Sequence, residues 1–415
     1  MFLAVYADAA GRIYEHPHLS MLARSGNGWI EPLEEEMMPL PEGASLVSIP
    51  GFFPIGMKPG GNPSVLQEDL YGCPGKVQAI AALMPQGFTR TLLPACISEN
   101  HSVMPLMGYT AVGFKDGQFW IAATQSDEHY KWHPKFYNQD DLPERVEAML
   151  QRFPDNQIVQ QIGHCSLEYN CFTAQNIFYQ RWEGGIPTFR QCNANCIGCI
   201  SESHVPVDSP QHRLERVPSV DEVAELGCFH LEHAEEGIIS FGQGCEGDPS
   251  LNAVRLAPAI EKIRRQTPRG TININSNAGY TKGLVQMIDA GLDAMRVTMF
   301  SACENSYNHY HNPVNYTLQD VFNTIDYAKK NGVRVSVNAL IFPGFTDRES
   351  EITAWFDFVE KHHIDLFQLR NLNMDPDLLL PGLPEEEGMG MLTLLDALKQ
   401  NTVGMELGSY THPVR

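Results

Sequence analysis

The 415-residue chain carries 29 Lys and Arg against 50 Asp and Glu, a formal net charge of −21. So acidic a surface repels phosphate backbones and argues against nucleic acid as a partner, while 43% hydrophobic residues supply cores for two or three domains. The opening run 1–7 is cut short by Asp8 and Gly11 and does not read as a secretory leader. No apolar stretch is long enough to span a bilayer, so a cytoplasmic protein without a membrane partner is expected. Ten cysteines in a chain of this length read as reduced thiols rather than as a disulfide framework.

Residues 1–130 read as a β-rich N-terminal domain. Pro and Gly recur every few positions (Pro32, Pro39, Pro41, Gly43, Pro50, Gly51) and separate short β-prone runs such as 45–49 and 109–114. Asp116-Gly117 between two alternating runs predicts a hairpin over 112–121. One helix is expected near 76–83. His129 and His133 stand at i, i+4 and on a helix would suit a metal. Pro134 follows at once and no third ligand is evident, so packed or surface histidines are the expectation. Residues 131–184 read as a helical bridging segment, with one helix from 141 and a second run through Cys165 and Cys171 to Tyr179. The i, i+6 spacing keeps those two cysteines off one helix face. Burial as small hydrophobes is their expected role, with an auxiliary centre as the alternative.

From residue 185 the pattern becomes regular. Strands are expected at 186–190, 237–241, 271–275, 294–300, 333–341 and 366–370, with helices at 220–234, 253–266, 283–290, 318–331 and 349–362. Alternation of this kind means a parallel sheet, and six units are too few for an eight-unit barrel. The fold class is therefore α/β: a partial (β/α)6 TIM-like barrel over 185–383, preceded by the β-rich domain and the helical bridge. A C-terminal helix, 385–402, and a tail fill 384–415.

The chemistry centres on Phe189-Arg-Gln-Cys192-Asn-Ala-Asn-Cys196-Ile-Gly-Cys199. Thiolates are soft ligands that select zinc or iron–sulfur centres. A cubane usually takes four cysteines; here the loop offers three, and the next is Cys228. This C-x3-C-x2-C spacing resembles the signature of the radical S-adenosylmethionine (SAM) superfamily, and six β/α units match that family's partial barrel. The resemblance implies that Cys192, Cys196 and Cys199 hold a [4Fe–4S] cluster whose fourth iron is chelated by SAM. It further implies reductive cleavage of SAM to a 5′-deoxyadenosyl radical under anaerobic conditions, an electron donor such as ferredoxin or flavodoxin, and a small-molecule or peptide substrate. Gly198 departs from the aromatic residue common before the third cysteine. The alternative is a non-catalytic zinc or electron-transfer iron–sulfur protein, with Cys171, Cys228 or His204 as a fourth ligand to the same loop.

Ligands of parallel β/α folds gather at the C-terminal ends of the strands. Gly242, Gly244 and Glu246 follow the second strand, and Gly244-Cys245-Glu246 resembles the family's glycine-rich segment for the SAM amino group. Asn275 and Asn277 follow the third strand. Ser301 follows the fourth and resembles a residue that contacts SAM. Gln368 and Arg370, with Asn371 and Asn373, end the sixth and are expected to meet SAM or substrate, since buried polar groups demand partners. Tyr307, His309, Tyr310 and His311 are placed toward the substrate, and Leu340-Ile-Phe-Pro-Gly344 against adenine. Thr346 and Glu349 read as a helix cap. No catalytic residue is singled out. The last cysteine is Cys303, so the Cys-rich extension of many peptide-modifying relatives is not expected.

Overall fold

The computed structural model describes residues 1–72, 75–128, 130–211, 213–401 and 404–415. His129 and Thr402 lie outside the described residues. Short strands between Leu3 and Gln125 build a ten-stranded sheet with two smaller ones. In the hairpin Val112–Lys115 and Gln118–Ile121, Phe114 faces Phe119, and the turn uses Asp116 (φ 53°) and Gly117 (φ 79°). Two consecutive left-handed residues match the twist of the flanking strands, which is why Asp-Gly stands there.

The helix expected near 76–83 is instead the strand Gln78–Leu83, paired with Ser45–Ile49 and Leu3–Ala7. Its alanines favour a helix in isolation. Ala79, Ala81 and Ala82 are all but completely buried, so packing on both faces of a strand overrides that preference. In the bridge, helices Leu142–Arg152, Gln157–Glu168 and Phe172–Tyr179 pack together. The run expected to be continuous through Cys171 breaks at Asn170, whose φ of 51° is left-handed.

A seven-stranded parallel sheet follows: Arg181–Gly185, Glu235–Phe241, Thr271–Ser276, Ala294–Met299, Arg334–Ile341, Leu366–Asn371 and Glu406–Gly408. Two features differ from expectation. The first strand lies at 181–185 rather than 186–190, hidden by its glycines: a Cβ on Gly184 would stand 2.2 Å from Ile177 Cδ1. The seventh strand, three residues long, lies in what reads as tail. The C-terminal helix starts at Met391 rather than 385.

Along each strand the side chains alternate sharply. Ile239, Phe241, Ile272, Ile274, Met295, Val297, Val335, Val337 and Phe367 point outward and are buried in one core with the helices. The opposite face is polar: Ser240, Asn273, Asn275, Arg296, Thr298, Ser336, Asn338, Gln368 and Arg370. Glu183 on the first strand and Arg296 on the fourth approach to 3.6 Å. Only a sheet curled around a hollow brings non-neighbouring strands so close, so this is a half-barrel with a polar lumen. The tail crosses that lumen: Arg370 donates to the Ser409 carbonyl (2.7 Å), Arg296 to Thr411 Oγ1 (3.0 Å), and Val414 N to Thr271 Oγ1 (2.8 Å).

The two domains meet along the sixth strand. Arg90 is fully buried and donates to the carbonyls of Tyr109 (3.1 Å), Ile341 (3.4 Å) and Leu372 (2.6 Å), with its guanidinium over Phe342. Burial lowers its pKa to about 9. Asn371, expected to face a ligand, instead bonds the backbone of Phe88 and Arg90 as a strand would. Replacing Arg90→Met strands these buried carbonyls, and a loss of about 3 kcal/mol is expected, read by denaturant unfolding. A change below about 0.5 kcal/mol, the usual range for surface sites, would show that this contact does not couple the domains.

Candidate functional site

The cysteine loop leaves the first strand and docks on the helix Glu304–His311. Asn195 N donates to the His311 carbonyl (3.0 Å), Ile197 N to the Tyr310 carbonyl (3.0 Å), and Val314 N to the Asn193 carbonyl (2.8 Å). These bonds hold the loop across the ends of the strands. A Cβ on Gly198 would lie 2.8 Å from Tyr310 Oη. The aromatic ring expected in the loop is thus supplied from the facing helix, and glycine makes room for it. Tyr310 stacks on Phe300, and Phe300 on Phe345.

Each of the three sulfurs meets polar side chains. Cys196 Sγ lies 3.2 Å from His311 Nδ1. Phe300 N donates to His311 Nε2 (3.1 Å), so the ring proton sits on Nδ1 and points at the sulfur. Cys199 Sγ meets Ser201 Oγ (3.4 Å) and Arg213 Nη2 (3.9 Å); Cys192 Sγ meets Asn277 Nδ2 (3.9 Å). Burial pushes the Cys192 thiol up to about 12 and Cys196 well above its ordinary value, and each lies in the field of the other cysteines. Protons would leave these thiols only in exchange for a metal. Among the described residues no three His, Cys, Asp or Glu side chains gather around one metal ion. The donor set, three soft sulfurs in one loop with N–H and O–H groups aimed at them, fits an iron–sulfur cluster.

The glycine-rich loop stands beside it, with a different division of labour from the one expected. Both oxygens of Glu246 are occupied: Oε2 accepts from Thr188 N (2.7 Å), Thr188 Oγ1 (3.0 Å) and Phe189 N (3.1 Å), and Oε1 from Gly242 N (2.6 Å) and Gln243 N (2.7 Å). The carboxylate ties the entry of the cysteine loop to the glycine-rich loop and offers no free oxygen to an ammonium group. Gly242 is required where it stands: its φ is +84°, and a Cβ would fall 1.9 Å from the Asn275 carbonyl oxygen. At Gly244 a Cβ would meet Gln211 Oε1 at 2.4 Å. Asp248, not singled out from sequence, is the carboxylate whose charge helps to raise the Cys192 and Cys196 thiols, after burial. It is held by Ser250, Ser276 and Asn277, and its backbone N donates to the Gln191 carbonyl (2.8 Å). The signal available was Gly247-Asp248-Pro249, which reads equally well as a helix cap.

The remaining candidates divide. Asn277 joins the cysteine loop, donating to Asn193 Oδ1 (2.7 Å), whereas Asn275 braces the glycine-rich loop through the Gly242 carbonyl (3.1 Å). Ser301 does not face the site: it donates to Glu351 Oε2 (2.5 Å) inside the protein. His309 bonds the Leu379 carbonyl and Tyr307 bonds Tyr316. Gln368 and Arg370 line the lumen. The residue capping the helix Glu349–His362 is Arg348, without a side-chain cap; Thr346 instead accepts from Phe342 N and braces the loop. Cys165 and Cys245, far apart in sequence, lie close enough for each to shift the other's titration. His133 is packed and accepts from Lys135 N.

Residues 186–356 match the sequence model of the Radical SAM superfamily. The chain carries a radical SAM domain. It is accordingly an enzyme of the radical SAM class, which works with SAM and an iron–sulfur cluster. Similar solved structures include the FeFe-hydrogenase maturase HydG from Carboxydothermus hydrogenoformans (14% identity, 64% of this chain and 69% of that one, TM-score 0.37). Others are methylornithine synthase PylB (12%, 65% and 76%, 0.37) and Streptococcus suis SuiB bound to precursor peptide SuiA (11%, 66% and 66%, 0.39). No curated protein sequence matches the chain. Among the described residues no helix is long and apolar enough to cross a membrane.

Because Glu246 gathers five donors in a buried place, Glu246→Ala is expected to cost about 3–5 kcal/mol of stability in the radical SAM domain. Chemical denaturation measures this. A variant as stable as the parent but unable to bind SAM would return Glu246 to the ligand.

Proposed function

We propose that the enzyme cleaves SAM reductively at a [4Fe–4S] cluster held by Cys192, Cys196 and Cys199, and uses the resulting 5′-deoxyadenosyl radical on a substrate in the half-barrel lumen. Cys192, Cys196 and Cys199 would hold the cluster, which when bound would supply the single electron that breaks a C–S bond of SAM. One observation carries the reading: three thiols in a loop pinned across the strand ends, each facing a side-chain donor. Such donors stabilise negative charge on sulfur and so make a bound cluster easier to reduce. Asp248, Asn275 and Asn277 brace the loops on which SAM would rest, and the stack Tyr310, Phe300 and Phe345 supplies an apolar wall for its adenine. Gln368 and Arg370 face the substrate rather than the cofactor. The N-terminal domain, anchored through Arg90, covers the sixth strand and helps keep water from the lumen. A ferredoxin or flavodoxin is the fitting electron donor.

Anaerobic reconstitution with iron and sulfide, followed by SAM and dithionite, is expected to release 5′-deoxyadenosine. Cys192→Ala, Cys196→Ala and Cys199→Ala should each drop release to background with loss of bound iron. Full iron content and turnover in any of the three would remove the cluster assignment. His311→Leu deletes the N–H aimed at Cys196 Sγ, and the cluster's midpoint potential is expected to become more negative, followed by redox titration with electron paramagnetic resonance. An unchanged potential would reduce His311 to a packing role.

A further inference from the structure

The lumen holds polar atoms that the protein itself leaves unmatched. Asn273 Oδ1, Asn338 Oδ1 and Gln368 Oε1 are buried and have no hydrogen-bond partner. Asn273 and Gln368 are fully buried side chains. The orientation of Asn273 is set by its neighbours: Ser240 donates to Glu183 (2.6 Å) and therefore accepts from Asn273 Nδ2 (2.9 Å), which also donates to Asn275 Oδ1 (2.9 Å). Its oxygen is left facing the hollow without a donor. The three oxygens come from the third, fifth and sixth strands, so they converge across the concave face rather than along one strand.

Charge in the lumen is also unbalanced. Arg296 has Glu183 at 3.6 Å. Arg370 bonds Gln86 Oε1 (3.0 Å) and the Ser409 carbonyl, both neutral. Among the described residues no carboxylate lies within ion-pair distance of Arg370. Two guanidiniums thus share one carboxylate, in a chain whose overall charge is −21. A cation without a counter-ion and buried acceptors without donors are costly in a folded protein unless a ligand completes them. Asn338 and Arg370 are only half-buried, and the tail from Ser409 to Val414 crosses beside them.

We propose that the substrate is a small zwitterion, an amino acid or amino-acid derivative. Its anionic group lies on Arg370, and its ammonium or N–H groups on the oxygens of Asn273, Asn338 and Gln368. This rests on the reading of the lumen as the substrate chamber and narrows it. The tail that crosses the chamber favours a discrete small molecule over a threaded peptide, and the guanidinium favours a planar carboxylate.

The test uses reconstituted full-length enzyme with SAM and dithionite, and as probe the fraction of a bacterial cell extract below about 1 kDa, the size range that such an enclosed site accommodates. That fraction is expected to accelerate 5′-deoxyadenosine release over the uncoupled rate. The acceleration should vanish after acetylation of amino groups with acetic anhydride, and after passage over an anion exchanger at alkaline pH. Arg370→Gln should raise the half-saturating amount of the fraction about tenfold or more with the maximal rate retained, the loss expected for one charged hydrogen bond, and Arg370→Lys should restore part of it. Acceleration that survives both treatments, or that appears only with the macromolecular fraction, overturns the proposal. So does uncoupled release that no small-molecule fraction accelerates. Absence of any 5′-deoxyadenosine, uncoupled release included, instead strikes the underlying radical SAM mechanism.

Discussion

The architecture depends on one buried carboxylate. Glu246 collects donors from Thr188 and Phe189, at the entry to the cysteine loop, and from Gly242 and Gln243, at the end of the second strand. Neither loop has regular secondary structure to hold its shape. Each would otherwise expose backbone N–H groups to an apolar interior, and one anion satisfies four of them together. Burial raises the carboxyl pKa and the five donors pull it back down, leaving it at about 7. With the two loops locked, the sulfurs inherit fixed positions relative to the strand ends. Metal centres need that, because thiols that wander do not preorganise a cluster.

A second constraint follows from the curl of the sheet. Parallel strands covered on both faces are usually apolar throughout. Here only the outer face is covered by helices, and the inner face lines a hollow. The sequence obeys this at single-residue resolution: Ile272-Asn-Ile-Asn275 and Val335-Ser-Val-Asn338 alternate between the hydrophobic core and the lumen. The outer half of the pattern supplies stability, since each fully buried aliphatic side chain contributes about 1.5–3 kcal/mol. The inner half gives some of that stability up, leaving amides and guanidiniums incompletely paired. Local departures from good packing of this kind concentrate where a protein works.

The degree to which this was readable from sequence varies with the range of the forces involved. The cysteine spacing, the Asp-Gly hairpin and the alternation of strands with helices are local features, and they stand in the structure. The first strand was displaced by five residues because Gly184 and Gly185 carry no hydrophobic signal; their absence of side chains answers Ile177 and Gln243, residues distant or on other elements. Gln78–Leu83 carries helix formers whose strand state is decided by layers above and below. The seventh strand is three residues long and has no pattern of its own. Site residues fared similarly. A glutamate among glycines suggests a ligand contact, but whether its oxygens are free depends on Thr188 and Phe189, nearly sixty positions away. Its position after the fourth strand puts His311 with the substrate, and only the fold reveals that Nε2 accepts from Phe300 N while Nδ1 turns to Cys196. Alternation in the strands was legible and its meaning was not, since an asparagine every second residue equally suits an exposed face.

The remaining pieces of the chain act as walls for the lumen. A half-barrel has an open side, and a chamber from which water is excluded needs that side covered. Two covers close that side from opposite ends of the sequence. The N-terminal sheet reaches the sixth strand through Arg90 and Asn371, while the tail crosses from Ser409 to Val414. Both covers use hydrogen bonds to polar lumen residues or strand-end carbonyls rather than apolar contact alone, which suits a cavity whose own surface is polar. Arg370 is the point at which they converge, bonded at once to Gln86 of the first domain and to Ser409 of the tail. A side chain held from both directions has little rotamer freedom left to lose, so the guanidinium is preorganised for an incoming anion. The same fixing makes the chamber selective: a group unable to meet Arg370 and the facing amide oxygens would leave them desolvated and unpaired.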